Sequence, residues 1–144
     1  GWTEEVRNEL QPVLQVTDCL FANRDEVMGI SGSTDFVDGV QTLREIGVTQ
    51  VIAKMGAMGS GISYGTNWIQ RPAYDVNVRD TVGAGDAFNA GFIGAWIDGF
   101  SVVERLEMGL ATSALFISSP THHLPTKDEL EDFMRKQAPW RRPV

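Results

Sequence analysis

The feature that most constrains this chain is a run of small residues between two aspartates, which leads directly into an apolar helical pattern. The run reads Asp80-Thr81-Val82-Gly83-Ala84-Gly85-Asp86 and continues as Ala87-Phe88-Asn89-Ala90-Gly91-Phe92. A helix that begins after a tight glycine turn presents unpaired backbone N–H groups at the positive end of its dipole. Small residues also let an anion approach such a backbone closely. We therefore expect an anion site formed by the amides of residues 83–86.

The second aspartate of this run, Asp86, falls in the first turn of the predicted helix. A negative side chain beside an anion site has no obvious structural purpose, whereas a general base beside a phosphoryl group would be placed there. The sequence thus predicts that Asp86 is the base of a phosphoryl transfer. The alternative from the residues alone is an ordinary N-capped helix after a tight turn.

Length, charge and cysteine content narrow the class of protein. A chain of 144 residues is long enough for one domain with a hydrophobic core. The net charge of -7 argues against a nucleic-acid or anionic-membrane partner. No apolar stretch approaches the roughly 20 residues that cross a bilayer. The single cysteine, Cys19, fits a reducing compartment, so we expect a cytoplasmic protein.

Hydrophobic periodicity predicts an α/β fold. Strand-like runs at residues 16–22 and 48–53 flank a helical pattern that ends at Gly47, which indicates a βαβ unit with parallel strands. Short strand patterns at residues 62–64 and 68–70 predict a hairpin. Pro12 is expected to end or kink the first helix. Further helices are expected at residues 87–96, at residues 101–117 and from residue 126 onward.

The segment from Asp80 to Phe88, followed by a glycine-rich helix, resembles the second signature of the ribokinase-like sugar kinases, the PfkB family. The resemblance implies a mostly parallel sheet sandwiched between helices. It also implies ATP-dependent phosphorylation of a sugar hydroxyl, with Mg²⁺ as cofactor. In that comparison Asp86 takes the proton from the hydroxyl, and the preceding amides, including Gly85, form the anion hole.

Members of the PfkB family are longer, and their sugar-binding lid lies in an N-terminal half. The chain therefore resembles a C-terminal half, with residues 1–137 as the ATP-binding and catalytic part and residues 138–144 as a flexible tail. We expect ATP and a small sugar as ligands, and either a homo-oligomer or dependence on the N-terminal half. Two alternatives stay open: a truncated module that binds nucleotide or oligomerises without catalysis, and a kinase for nucleosides or vitamin precursors.

Asn23 and Glu26 match the N-x-x-E motif that organises magnesium-bound water in this family. A carboxylate and an amide one helical turn apart can share such a water network. The same two residues also match a capping box, in which Asn23 caps a helix and Glu26 reaches back to it, and taken alone they favour this alternative. The resemblance favours the role of Glu26 in holding Mg²⁺ through water.

Two further segments match nucleotide-binding parts of the family. The loop that contains Lys54, Gly56 and Gly59 corresponds to a stretch that wraps the phosphates, and Lys54 could direct its charge toward one of them. A plain strand-to-hairpin turn would explain the same loop. Gly109 and Thr112 correspond to the helix that lines the adenine pocket, although small residues are also typical of a packed helix.

One segment departs from the family pattern. Many members place a glycine-containing turn after that helix, where it helps to hold a monovalent cation such as K⁺. Here the stretch is Ser118-Ser119-Pro120-Thr121-His122-His123. Asp80 and the carbonyl of Val82 could still supply oxygen ligands for K⁺, but the rest of the site is in question. The histidine pair lacks a third ligand at a recognisable spacing, so we expect a solvated loop rather than a transition-metal site.

Overall fold

The structure is a computed structural model that describes residues 1–137, and the expected tail of residues 138–144 lies outside them. Within the described residues no helix combines the length and hydropathy of a membrane-crossing segment. The chain divides into two compact units, Gly1–Pro72 and Ala73 onward. The elements in chain order are α1 (Glu4–Leu14), β1 (Cys19–Asn23), α2 (Arg24–Ser31), α3 (Phe36–Ile46), β2 (Gln50–Lys54), a 3₁₀ turn (Gly56–Met58), β3 (Ser60–Tyr64), β4 (Asn67–Arg71), α4 (Ala84–Ile97), α5 (Val102–Ser118) and α6 (Lys127–Gln137).

The first unit contains a four-stranded sheet in the order β1-β2-β3-β4. Strands β1 and β2 are parallel, as the βαβ pattern predicted, because α2 and α3 provide the crossover between them. The other two pairs are antiparallel. The short connections from β2 to β3 and from β3 to β4 allow only antiparallel pairing. Gly65 and Thr66 form the turn of the β3–β4 hairpin. The expected majority of parallel pairs is therefore not seen in the described sheet, while the α/β class is confirmed.

The core of the first unit lies between one face of the sheet and helices α1–α3. Alternate residues of the parallel pair face the helices, with Leu20 opposite Val51 and Ala22 opposite Ala53. The helices fill this face with apolar side chains from each of them, namely Leu14, Val27, Phe36, Val40 and Leu43. Removal of these side chains from water is the main source of stability for such a unit.

Two local expectations were wrong in detail. Helix α1 continues past Pro12 to Leu14. Pro12 falls near the end of the helix, where the missing N–H costs a single bond, and the amide of Gln15 still donates to the carbonyl of Gln11 at 3.1 Å. Strand β1 begins at Cys19 instead of Val16, and the side chain of Val16 is 80% exposed in the preceding turn.

The second unit is built on the close packing of α4 against α5. A Cβ placed on Gly91 would lie 2.2 Å from the Oγ1 of Thr112, and one placed on Gly109 would lie 2.8 Å from the ring of Phe88. Such distances are far inside van der Waals contact, so both glycines are needed for the two helices to approach this closely. Helix α6 begins at the expected capping box, in which the Thr126 amide donates to the Glu129 carboxylate at 2.7 Å.

Candidate active site

The N-terminus of α4 carries the predicted anion site. Gly83 is the N-cap residue, with φ 80° and no side chain to occupy the first amides. The Ala84 amide donates to the Thr81 carbonyl at 3.1 Å. The amides of Gly83, Gly85 and Asp86 have no acceptor within the described part of the chain. Three of the four expected donors are therefore open to a ligand, and the fourth is used inside the turn.

Contacts from α5 hold this turn in place. The Ser113 hydroxyl donates to the Ala84 carbonyl at 3.0 Å. The ring of Phe116 lies beneath Gly83, so that a Cβ on this glycine would be 3.0 Å from it. The Arg79 amide donates to the Ile117 carbonyl at 2.8 Å. Sequence analysis missed Ser113 and Phe116 because neither belongs to a local motif.

The carboxylate of Asp86 is exposed and lies in the same helical turn as the open amides. It makes no hydrogen bond or ion pair within residues 1–137. A carboxylate without an internal partner keeps its lone pairs for a ligand, so its position is compatible with proton acceptance from a hydroxyl bound next to the anion site.

The first aspartate of the run has a different environment. One oxygen of Asp80 accepts the amide of Val82 at 2.9 Å, and the other lies 3.8 Å from the Nε2 of His122. His122 has φ 49° and packs edge-on against Phe116, with 5.3 Å between the ring centroids. The segment that departs from the family pattern thus directs an imidazole toward Asp80. The K⁺ ligands Asp80 and Val82 stay a prediction.

The histidine pair does not form part of a metal cluster. The Nδ1 of His123 forms hydrogen bonds with the hydroxyls of Ser119 and Thr121, at 3.2 and 3.0 Å. Its Nε2 lies 3.5 Å from a carboxylate oxygen of Glu129. Among the residues that the structure describes, no group of three or more histidine, cysteine or acidic side chains is arranged to hold a metal ion.

In the first unit, Asn23 and Glu26 form a complete capping box at the start of α2. The Glu26 amide donates to Asn23 Oδ1 at 2.8 Å, and the Asn23 amide donates to Glu26 Oε2 at 2.7 Å. The capping box that the sequence offered as the alternative to a magnesium site is therefore present. Because Glu26 Oε1 has no acceptor or donor partner in the described residues, one carboxylate oxygen is still available to a metal-bound water.

The loop after β2 is closed by the Met55 amide, which donates to the Gly59 carbonyl at 2.8 Å. Gly56 has φ 57°, and a Cβ there would meet no atom within 4 Å. The amides of Gly56 and Ala57 have no acceptor in the described part of the chain. Successive open amides next to a left-handed glycine form an anion-binding concavity, which suits the phosphate role predicted for this loop and for Lys54 at the end of β2.

The two residues predicted to line an adenine pocket are buried in the second unit. Gly109 packs against Phe88, and the Thr112 hydroxyl donates to the Met108 carbonyl at 2.7 Å. The absence of a side chain at Gly109 allows the close contact between α4 and α5, and Thr112 faces Gly91 across the same contact. Their contact with adenine stays a prediction.

The carboxylates with shifted pKa values lie on helices α5 and α6. The Ser101 hydroxyl and amide hold the pKa of Glu104 below its usual value. The Thr126 amide and hydroxyl do the same for the pKa of Glu129. Lys136, followed by Arg135, lowers the pKa of Asp132. These shifts reflect hydrogen bonds that favour the ionised carboxylate.

Comparison with known proteins assigns the chain to a family. The family model described as "pfkB family carbohydrate kinase" matches residues 2–129 of the chain. The 1-phosphofructokinase of Haloferax volcanii is 33% identical over 120 residues, which cover 80% of this chain and 38% of that enzyme. The Escherichia coli putative ribokinase II in complex with ATP and Mg²⁺ superposes with a TM-score of 0.83 at 28% identity, covering 92% of this chain and 44% of that chain.

The ribokinase of Arabidopsis thaliana complexed with ribose and ATP gives a TM-score of 0.81 at 27% identity, over 87% of this chain and 43% of that chain. The chain thus spans less than half the length of the relatives it matches. The predicted family and the ribokinase-like α/β fold are both confirmed. On these grounds the chain belongs to the pfkB family of carbohydrate kinases.

Proposed function

We propose that this chain is the ATP-binding and catalytic part of a kinase that transfers the γ-phosphoryl group of ATP to a hydroxyl of a small sugar. One observation carries the proposal: the first turn of α4 combines three open amides with the unpaired carboxylate of Asp86. The relatives supply the chemical class, since one is named a 1-phosphofructokinase, one a putative ribokinase II in complex with ATP and Mg²⁺, and one a ribokinase complexed with ribose and ATP.

Each group has a role that follows from its chemistry. The amides of Gly83, Gly85 and Asp86 bind the oxygens of the transferred phosphoryl group, where negative charge must be stabilised. Asp86 accepts the proton of the attacking hydroxyl. In the first unit, the open amides of Gly56 and Ala57 are proposed to bind phosphate oxygens of a nucleotide. These amides need no reorganisation during the reaction, because φ > 0 at Gly83 and Gly56 already fixes them.

The residues also fit a magnesium site. Glu26 keeps one carboxylate oxygen without a partner, and the capping box fixes its position. Mg²⁺, when bound with ATP, would supply positive charge beside the phosphates. Glu26 would hold it through a water molecule, since magnesium usually retains several waters in nucleotide sites.

A second candidate is a module that binds nucleotide without transferring phosphate. It is favoured by the open amides at the start of α4, which can hold a phosphate group without a transfer step. The chain as given would bind ATP weakly in that case, and would phosphorylate no sugar above background. Calorimetry with MgATP and a coupled assay with ribose and fructose phosphates separate the two functions.

The decisive test is the Asp86→Asn substitution, which preserves shape and removes the proton acceptor. Turnover is measured on the natural gene product that contains these residues, and MgATP binding is measured on the same protein. We expect kcat to fall by roughly 10²–10⁴ with nucleotide affinity nearly unchanged.

Asp98→Asn is the matched control, because Asp98 is an exposed carboxylate at the opposite end of α4. Its turnover should stay near that of the unmodified protein. Near-normal turnover in Asp86→Asn would reject Asp86 as the base.

A further inference from the structure

A groove of about 850 Å³ lies in the first unit between helix α3 and the β3–β4 hairpin. Met55 and Met58 are among its lining residues, and none of the residues proposed above for phosphate or magnesium binding lines it. Volumes of this order enclose ligands the size of a nucleotide or a small drug. The groove therefore has the size of a small-molecule site and is formed by other side chains than the proposed catalytic site.

Two aromatic rings form its apolar wall. The indole of Trp68 packs against Gly61, where a Cβ would be only 2.2 Å from the ring. Phe36 meets this indole edge-on, with 5.6 Å between ring centroids. Trp68 is 37% exposed, so part of its face is open to the groove. A planar ring could stack on this face with the offset geometry that aromatic pairs prefer.

The groove also contains two arginines with unused donors. The guanidinium of Arg24 lies 5.2 Å from the Phe36 ring centroid and has no hydrogen-bond or ion-pair partner in the described residues. Arg44 donates through Nη1 to the carbonyl of Gly65, and its Nη2 has no acceptor within the described residues. Glu45, a carboxylate in the lining of the groove, accepts a hydrogen bond from the side-chain Nε2 of Gln41 at 2.8 Å.

Arg24, Arg44 and Glu45 are the charged residues that line the groove, so its lining carries a net positive charge although the whole chain carries -7. The planar fork of arginine suits the oxygens of a carboxylate, sulfonate or phosphate. We propose that the groove binds a small organic anion with a planar ring, which stacks on Trp68 while Arg24 and Arg44 bind its acidic group.

The test uses two fluorescent probes of similar shape and different charge. The anionic probe is 8-anilinonaphthalene-1-sulfonate, and the neutral probe is N-phenyl-1-naphthylamine. Val37 lines the groove and is 69% exposed, so its replacement leaves the core intact. Val37→Asp adds a negative charge at the rim, and Val37→Lys adds a positive charge at the same place.

We expect the Kd of the anionic probe to be roughly fivefold higher in Val37→Asp than in Val37→Lys, because the two rim charges act on it with opposite sign. The neutral probe should bind both variants equally. Arg24→Gln provides a second measurement, and it should weaken the anionic probe without affecting the neutral one. Equal anionic-probe affinities in the two Val37 variants would overturn the proposal.

Competition with MgATP separates this groove from the proposed catalytic site. We expect saturating MgATP to leave the anionic-probe fluorescence unchanged. Displacement of the probe by MgATP would place it at the nucleotide site and overturn the proposal, whereas the proposed kinase function would survive that result.

Discussion

Gly83 shows how much of the candidate site depends on one missing side chain. Its φ of 80° lies in the left-handed region, and the ring of Phe116 is directly beneath it. Any other residue would therefore meet both backbone strain and a steric contact. The open amides at the start of α4 follow from this conformation, because the turn directs them away from the rest of the chain.

The Gly83→Ala substitution should lower the free energy of unfolding by about 1–2 kcal/mol, the cost of a left-handed conformation for a residue with a Cβ. It should also weaken MgATP binding, because the amides move with the turn. Urea denaturation and calorimetry measure the two effects. The control is Gly94→Ala in the same helix, where a Cβ meets no atom within 4 Å. That variant should be more stable by about 0.5–1 kcal/mol, and a similar loss in both variants would show that Gly83 has no special conformation.

At this scale the sequence predicted the local backbone geometry, namely a tight turn at Gly83 followed by a helix with Asp86 in its first turn. Asp86 and the glycines could be found because a helix start and a tight turn are encoded by neighbouring residues. The contact between Ser113 and the Ala84 carbonyl spans 29 positions, and no local pattern encodes it. The approach of His122 to Asp80 was missed for the same reason, since it depends on how the chain folds back after α5.

At the scale of helices and strands, the N-terminal ends of the helices were as predictable from the sequence as their apolar faces. The capping boxes at Asn23, Ser101 and Thr126 place partners three residues apart, so each is complete within one turn. The sheet was less predictable in its pairing. A strand pattern does not specify its partner, and only the connections decide that β2 pairs with β1 in parallel and with β3 in the antiparallel direction.

The capping box of α5 predicts a dependence of stability on pH. The bonds from Ser101 hold the pKa of Glu104 below 4.5 in the folded protein. Folding therefore favours the carboxylate, and this contribution is present above pH 4.5 and is lost as the pH falls through the lowered pKa. We expect the Ser101→Ala variant to have a lower Tm than the unmodified protein at pH 7. Its Tm should fall less than that of the unmodified protein when the pH is lowered from 5 to 3.

Ser101→Thr keeps the hydroxyl and serves as the control in the same thermal scans. It should retain the acid-dependent part of the stability. If Ser101→Ala and Ser101→Thr showed the same pH profile, the hydroxyl would not be the cause of the lowered pKa.

At the scale of the whole molecule, the notable feature is apolar surface on α4. Ile93, Trp96 and Ile97 are 42%, 39% and 80% exposed in a helix whose only charged residue is Asp86. A helix that is apolar on most sides is normally covered. We propose that either another copy of this chain or additional residues of the natural protein cover it.

Light scattering should therefore give the isolated chain a mass above its 15.8 kDa, increasing with concentration. Ile97→Lys should reduce that mass, because it places a charge in the centre of the exposed patch. Val16→Lys is the control, since Val16 is also 80% exposed but lies in the turn after α1. A monomer at all concentrations would show that the α4 surface tolerates water.

The parallel pairing of β1 with β2 also determines the order in which contacts can form. Cys19 and Gln50 are 31 positions apart, whereas the partners in the β3–β4 hairpin are close neighbours in the chain. The hairpin closes a short loop and can form within microseconds, while the parallel pair requires α2 and α3 to bridge the gap first. During translation, strand β1 also leaves the ribosomal exit tunnel well before its parallel partner β2. Among the four described strands, β1 therefore waits longest for the partner it has in this sheet, and this is the period in which a chaperone would have most to protect.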